Sequence, residues 1–132
     1  MSDLPVRTGV ILFAHGARDA RWADPFRAVA EQVRSAAPAL PQELAFLEFM
    51  SPDLTEAARR LAERGVTWIE VVPLFFGPGG HLRSEVPELA AAAMAALPGV
   101  EISIAPAAGV DPGVVAALAD YALRRAGWPQ DR

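Results

Sequence analysis

Cysteine is absent from the sequence, which excludes a disulfide framework, a thiolate nucleophile and any Cys-ligated metal site. Histidine is almost absent, with two in 132 residues. No apolar stretch reaches the roughly 18 residues of a membrane-spanning helix. The start, Met1-Ser2-Asp3-Leu4-Pro5-Val6-Arg7, lacks a basic leader followed by a long apolar region. Neither a membrane association nor a secretory signal is therefore expected, and a cytoplasmic location is. There is no lysine-rich run and the net charge is −4, which argues against a nucleic-acid partner. An anionic small molecule stays open, because local arginines and helix N-termini bind anions whatever the overall charge. A nucleophile elbow, a G-x-G-x-x-G pattern and a P-loop are all missing.

What is present is an aliphatic, folded composition. Hydrophobic residues make up 52% and charged ones 21%, the balance of a globular chain and not of a disordered one. The length fits one domain over residues 1–132. Aromatics contribute only 8%, so the core is expected to rest on aliphatic strands and alanine-faced helices.

Along the chain, apolar runs alternate with helical periodicity. Thr8 to Ala14 reads as a strand buried on both faces, ending at His15-Gly16. Asp24-Pro25 offers a cap and first position for a helix carrying Phe26, Val29, Ala30, Val33 and Ala37, although the helix could begin nearer Asp19. Pro38 and Pro41 end it. Glu43 to Phe49 is the second strand, and Ser51-Pro52 reads as the N-cap and first turn of a helix with Leu54, Ala57, Ala58 and Leu61 on its apolar face. Gly65 closes that helix. Thr67 to Phe76 is the third strand, with Pro73 marking its end or an irregular pairing position. After the glycine-rich Gly77-Pro78-Gly79-Gly80-His81, a helix is expected from Ser84 to Leu97. Val100 to Ala105 alternates as a fourth strand nearer an edge, and Asp111-Pro112 caps a last helix to about Ala126.

The order β-α-β-α-β-α-β-α implies an α/β fold of three layers, with a four-stranded, mostly parallel sheet and helices on both faces. Ligands in such sheets sit beyond the C-terminal strand ends, where the chain direction reverses. Both histidines, His15 after the first strand and His81 after the third, fall at that end. A strand-terminal imidazole serves as a metal ligand or as a base near neutral pH. Alone, His15 would equally fit a residue that hydrogen-bonds a neighbouring loop, and His81 a place in a flexible surface turn; their shared placement favours the ligand reading. Glu48 lies in an apolar run near the end of the second strand. If it faces the crevice, His15, Glu48 and His81 supply two nitrogens and a carboxylate, a set that suits Co, Ni, Fe or Zn. Glu85 is a second carboxylate candidate, or a first-turn acid favoured by the helix dipole. Arg18, Arg21 and Arg83 are placed to meet carboxylates on a ligand or to solubilise the rim. Ser51, Ser84 and Asp111 read as helix caps.

Taken together these segments resemble the small, single-domain class II chelatases of the sirohydrochlorin cobaltochelatase type, the CbiX family. The resemblance lies in Phe13-Ala14-His15-Gly16, Ala45-Phe46-Leu47-Glu48, Ser51-Pro52, Val71-Val72-Pro73-Leu74-Phe75-Phe76 leading to Gly79-Gly80-His81, and Val86-Pro87. It covers most of the chain. Two positions depart from it: Ala17 stands where the family commonly has serine, and Arg83-Ser84-Glu85 replaces a pattern ending in aspartate.

The resemblance implies a lyase that inserts a divalent metal into a tetrapyrrole. Co²⁺ into sirohydrochlorin, for cobalamin, is the first expectation; Fe²⁺ for siroheme and Ni²⁺ are alternatives. It places the metal on His15, Glu48 and His81, with His15 and His81 catalytic, and implies a homodimer without an organic cofactor. The tetrapyrrole would meet Arg18, Arg21, Gly79, Gly80 and Arg83. A non-catalytic metal or tetrapyrrole carrier is the alternative of another class. Histidine-phosphatase chemistry is disfavoured, because Ala14 occupies the place of that family's arginine.

Overall fold

A computed structural model describes residues 6–77 and 79–129, with the side chains of residues 80–82 outside that description. The chain runs β1 (Thr8–Ala14), a 3-10 turn (Ala20–Ala23), α1 (Asp24–Ala36), β2 (Gln42–Phe46), α2 (Leu54–Glu63), β3 (Trp68–Pro73), α3 (Gly80–Ala96), β4 (Glu101–Ile104), a second 3-10 turn (Ala108–Val110) and α4 (Pro112–Arg125). The strands form one sheet in the order β2-β1-β3-β4. Every pairing in it is parallel. The alternation of strands and helices thus gives the expected α/β architecture, and the fourth strand is indeed an edge.

Alternation along the strands divides the sheet into two faces. Ile11, Phe13, Ala45, Ile69 and Val71 point to one side and are sealed by Leu54, Ala57, Ala58 and Leu61 of α2 and by Val86, Ala90 and Ala93 of α3. Small residues let the two helices lie close to the sheet and to each other, and fully burying each Leu or Ile here is worth about 1.5–3 kcal/mol. On the other side a smaller cluster joins Ala14, Ala23 and Phe46 to Phe26 of α1. Gln42 Nε2 donates to the Ala30 carbonyl at 2.8 Å and ties α1 to β2. Helix α4 packs substantially only on the 3-10 turn before it and buries none of its residues. Of the two faces, only that of α2 and α3 is fully covered.

Several boundaries differ from those read in the sequence. Helix α1 is capped by Ala23, with Asp24 its first residue; Asp19 caps the preceding 3-10 turn by accepting from the Arg21 N–H. The cap of α2 is Asp53, whose carboxylate accepts from the Glu56 N–H at 2.9 Å, and not Ser51; the Ser51–Pro52 bond is cis. Strands β2 and β3 end at Phe46 and Pro73, so Leu47–Phe49 and Leu74–Phe76 lie beyond the sheet. Helix α3 begins at Gly80, four residues before the expected Ser84, which places His81 in its first turn and Ser84 inside the helix. Asp111 caps α4 as read, accepting from Gly113 and Val114.

Candidate active site

The strand order places the reversal of direction between β1 and β3: from β1 the chain moves outward to β2, and from β3 outward to β4 on the other side. His15 follows β1 and the first turn of α3, holding His81, follows β3. Both histidines thus flank the crevice where open parallel sheets bind their ligands. The His81 side chain itself lies outside the described residues.

Beyond the sheet, β1 and β2 continue to track each other. The Leu47 N–H donates to the Ala14 carbonyl at 2.9 Å and the Glu48 N–H to the His15 carbonyl at 3.1 Å. This pairing brings Glu48 beside His15, with Oε2 4.0 Å from Nδ1. Gly16 makes the approach feasible: its φ is +90°, and a Cβ there would overlap the Glu48 carbonyl oxygen. Only glycine meets both demands. Phe49 follows in the left-handed region at φ 68°, a conformation that costs a non-glycine residue energy. The guanidinium of Arg18 lies over the Phe49 ring, 4.7 Å from its centre, in a cation–π contact.

The imidazole of His15 packs edge-on to Phe75, with centroids 5.9 Å apart, and Phe75 in turn meets Phe13 edge-on at 6.3 Å. A chain of rings therefore connects the core to the site. Phe75 is held in place by its carbonyl, which accepts from the Gly109 N–H at 2.8 Å. His15 and Glu48 stay about half exposed, so both side chains reach solvent.

His15 stands at the mouth of a cavity of about 680 Å³. The cavity lies between α1 and α4, its walls carrying Trp22, Phe26, Met50, Phe76 and Leu118. Its size is that of a small-molecule site. An almost wholly apolar lining suits the faces of a flat ring system and leaves charged substituents to the rim.

The three arginines differ. Arg21 is paired with Asp19, Nη2 to Oδ2 at 2.7 Å, in addition to the backbone bond. These two contacts, side chain first, hold the Asp19 carboxyl below its usual range. Arg18 stacks on Phe49, and Arg83 is exposed on α3 with no ion-pair partner among the described residues. Among the described residues, no three His, Asp or Glu side chains converge on one metal position; the third donor expected, the His81 imidazole, is outside them. Gly79 caps α3 in an extended conformation and Gly80 begins it. Glu85 is half-buried in that helix and already has a partner.

Sequence reasoning did not single out Trp22, Phe49 or Phe75 as site residues. The exposed aromatics Trp22 and Phe76, rare in so aromatic-poor a chain, were the signal available.

A family model described as CbiX matches residues 9–124. Among curated proteins, a sirohydrochlorin cobaltochelatase from Sulfurisphaera tokodaii is 38% identical over 78% of this chain and 81% of its own length. One from Sulfolobus acidocaldarius is 35% identical over 60% of this chain and 63% of its own length. Among solved structures, a CbiX protein from Marinobacter aquaeolei VT8 superposes with a TM-score of 0.80 at 32% identity, covering 91% of this chain and 95% of that one. The sirohydrochlorin chelatase SirB from Bacillus subtilis subspecies spizizenii, in complex with cobalt, gives 0.79 at 27% over 90% of this chain. SirB from Bacillus subtilis with Fe³⁺ gives 0.81 at 26% over 94%. The chain spans about half the length of the two SirB chains, 51% and 49%.

Proposed function

The chain belongs to the CbiX family, and we propose that it inserts Co²⁺ into sirohydrochlorin, as a single CbiX-like unit acting in the cytoplasm. The observation that carries this reading is the pairing of His15 with Glu48, 4.0 Å apart, at the mouth of a ring-sized apolar cavity. No helix among the described residues is long and apolar enough to cross a membrane.

The chemistry asks for two things at one place. Metal–water bonds must be exchanged for four ring nitrogens, and two pyrrole N–H protons must leave as the dication enters, so that charge balances. A neutral imidazole can serve either task, while its protonated form cannot ligate. His15 and Glu48 present the hydrated metal from one edge of the cavity, and His81, in the first turn of α3, supplies the second nitrogen. One histidine takes the protons. The apolar walls receive the macrocycle, and Arg18 and Arg83, with the backbone at Gly79 and Gly80, receive its peripheral carboxylates. Arg21 enters this set only by giving up Asp19.

The chain's coverage of about half of each SirB chain, and of nearly all of the Marinobacter protein, supports a homodimer in which a second copy closes the cavity. Iron is the second reading for the metal, favoured by the Fe³⁺ in one solved relative.

The test is anaerobic incubation of the purified protein with sirohydrochlorin and, separately, Co²⁺, Fe²⁺ and Ni²⁺, following metal insertion by absorbance. Acceleration over the spontaneous rate, greatest with Co²⁺, is expected. Tight binding without acceleration would instead indicate a carrier. In His15→Ala and His81→Ala we expect insertion to fall roughly 10²–10⁴-fold with the fold retained; unchanged kinetics would reject the assigned roles.

A further inference from the structure

The loop between β2 and α2 is strained at one residue. Phe49 is held at φ 68°, where a bulky side chain is disfavoured and where glycine or asparagine would sit at little cost. Burial offsets little of that strain, because Phe49 is 57% exposed. An unfavourable backbone and a bare ring at the same position both work against folding, and strain of this kind gathers at functional sites. The contact that Phe49 does make is with Arg18, whose guanidinium carbon lies 4.7 Å from the centre of the ring.

Holding a guanidinium with a ring instead of a carboxylate leaves its charge unneutralised and its N–H fork available. Among the described residues Arg18 makes no hydrogen bond and no ion pair. The carboxylates next to the pair in sequence are turned elsewhere. Asp19 caps the 3-10 turn and binds Arg21, Nη2 to Oδ2 at 2.7 Å, and Glu48 lies against His15. The contact also spans the site. Arg18 stands on the loop that begins at His15, and Phe49 directly follows Glu48. Backbone bonds from Leu47 to Ala14 and from Glu48 to His15 lace these two loops together, and the Arg18–Phe49 contact joins them by side chains.

We propose that Phe49 is a positioning residue for tetrapyrrole recognition: its left-handed backbone sets the ring against Arg18, which is thereby held with its fork free to take one peripheral carboxylate of the macrocycle. A bidentate guanidinium–carboxylate bond fixes direction as well as distance, so this grip registers one edge of the macrocycle beside His15 and Glu48. The assignment rests on the chelatase reading above and names the device that orients its substrate. Phe49 acts through Arg18 and touches no reacting atom. Because it aids recognition while opposing folding, its loss should separate the two.

The test compares the parent with Phe49→Gly, Phe49→Tyr, Arg18→Ala and the double variant Phe49→Gly with Arg18→Ala. Each is measured by thermal melting, by metal-free titration with sirohydrochlorin followed by absorbance, and by insertion kinetics. Phe49→Gly is expected to melt at about the parent's temperature or above, since relief of strain offsets the greater freedom of glycine in the unfolded chain. It should nevertheless bind sirohydrochlorin about three- to fivefold more weakly, with KM for the tetrapyrrole rising alike and KM for Co²⁺ unmoved. Phe49→Tyr keeps the ring and should keep the parent's affinity. Arg18→Ala should weaken binding roughly 10- to 100-fold, and adding Phe49→Gly to it should cause no further loss. A further loss in the double variant would overturn the proposal, because Phe49 would then meet the macrocycle directly. Melting of Phe49→Gly well below the parent would overturn it too, by assigning the residue to the fold. Unchanged affinity in Phe49→Gly overturns the positioning role and leaves the chelatase reading intact. A parent that neither binds nor metallates sirohydrochlorin overturns both.

Discussion

Among the described residues, the buried cluster on the side of α2 and α3 holds fourteen members, and the one on the side of α1 holds three. The strands are the same, but on the α1 side they set Gln42, Glu70 and Ser103 among the apolar residues. The difference lies in what each face is for. The α2–α3 face is finished within the chain and carries the stability. The α1 face keeps a cavity with His15 at its mouth, with exposed Trp22, Val29 and Phe76 around it. An apolar surface left open in this way marks a place for a ligand or another chain. Folding and function are thus assigned to opposite sides of one sheet, joined through Phe13, Phe75 and His15.

The largest effect expected from this division is at Leu61, fully buried on α2. Leu61→Ala should cost about 2–5 kcal/mol, through lost burial and the cavity left behind. Val29→Ala, on the open face of α1, should change stability by no more than about 0.5 kcal/mol, while weakening tetrapyrrole binding. Denaturant unfolding of both variants checks the pair. Similar costs at the two positions would erase the distinction between the faces.

Gly16→Ala comes next. The added Cβ must displace the Glu48 carbonyl and adopt a left-handed backbone, for which about 1–3 kcal/mol of destabilisation is expected. Because the displaced residue is Glu48, insertion should suffer more than stability does. A variant with full insertion activity would show that the His15–Glu48 juxtaposition is dispensable.

The same division explains how much the sequence disclosed. Strands and helices were legible because burial on the closed face imposes strict periodicity: Ile11 with Phe13, Ile69 with Val71, and Leu54, Ala57, Ala58 and Leu61. Boundaries failed where apolar residues serve the open side. Leu74–Phe76 extend an apolar run but shape the cavity, so β3 stops at Pro73. Helix α3 starts at Gly80 without any side-chain cap, and glycine is a poor helix former that signals no start. The cap of α2 is Asp53 and not the expected Ser51, because Asp53 sits next to the first helical residue. The proximity of Glu48 to His15 depended on strand order, which local pattern does not encode. Nor does pattern tell whether an apolar helix such as α4 covers its own sheet.

The smallest effect sought is at Asp19, on the open side three residues past Gly16, where its carboxylate caps the 3-10 turn leading to α1 and pairs with Arg21. These contacts favour the ionised form and lower its pKa in the folded chain from the usual 3.8. A group with a depressed folded pKa contributes stability above its unfolded value and loses it as pH falls through the folded one. Asp19→Asn should therefore melt slightly below the parent at neutral pH, and the gap should close as pH drops below 3.8. The carboxylate is partly exposed, so added salt should narrow the gap as well. Melting curves of the two proteins across that range decide it. A gap that widens toward acid would mean that Asp19 is stabilised in its protonated form, and that the turn beside His15 is held by something other than this pair.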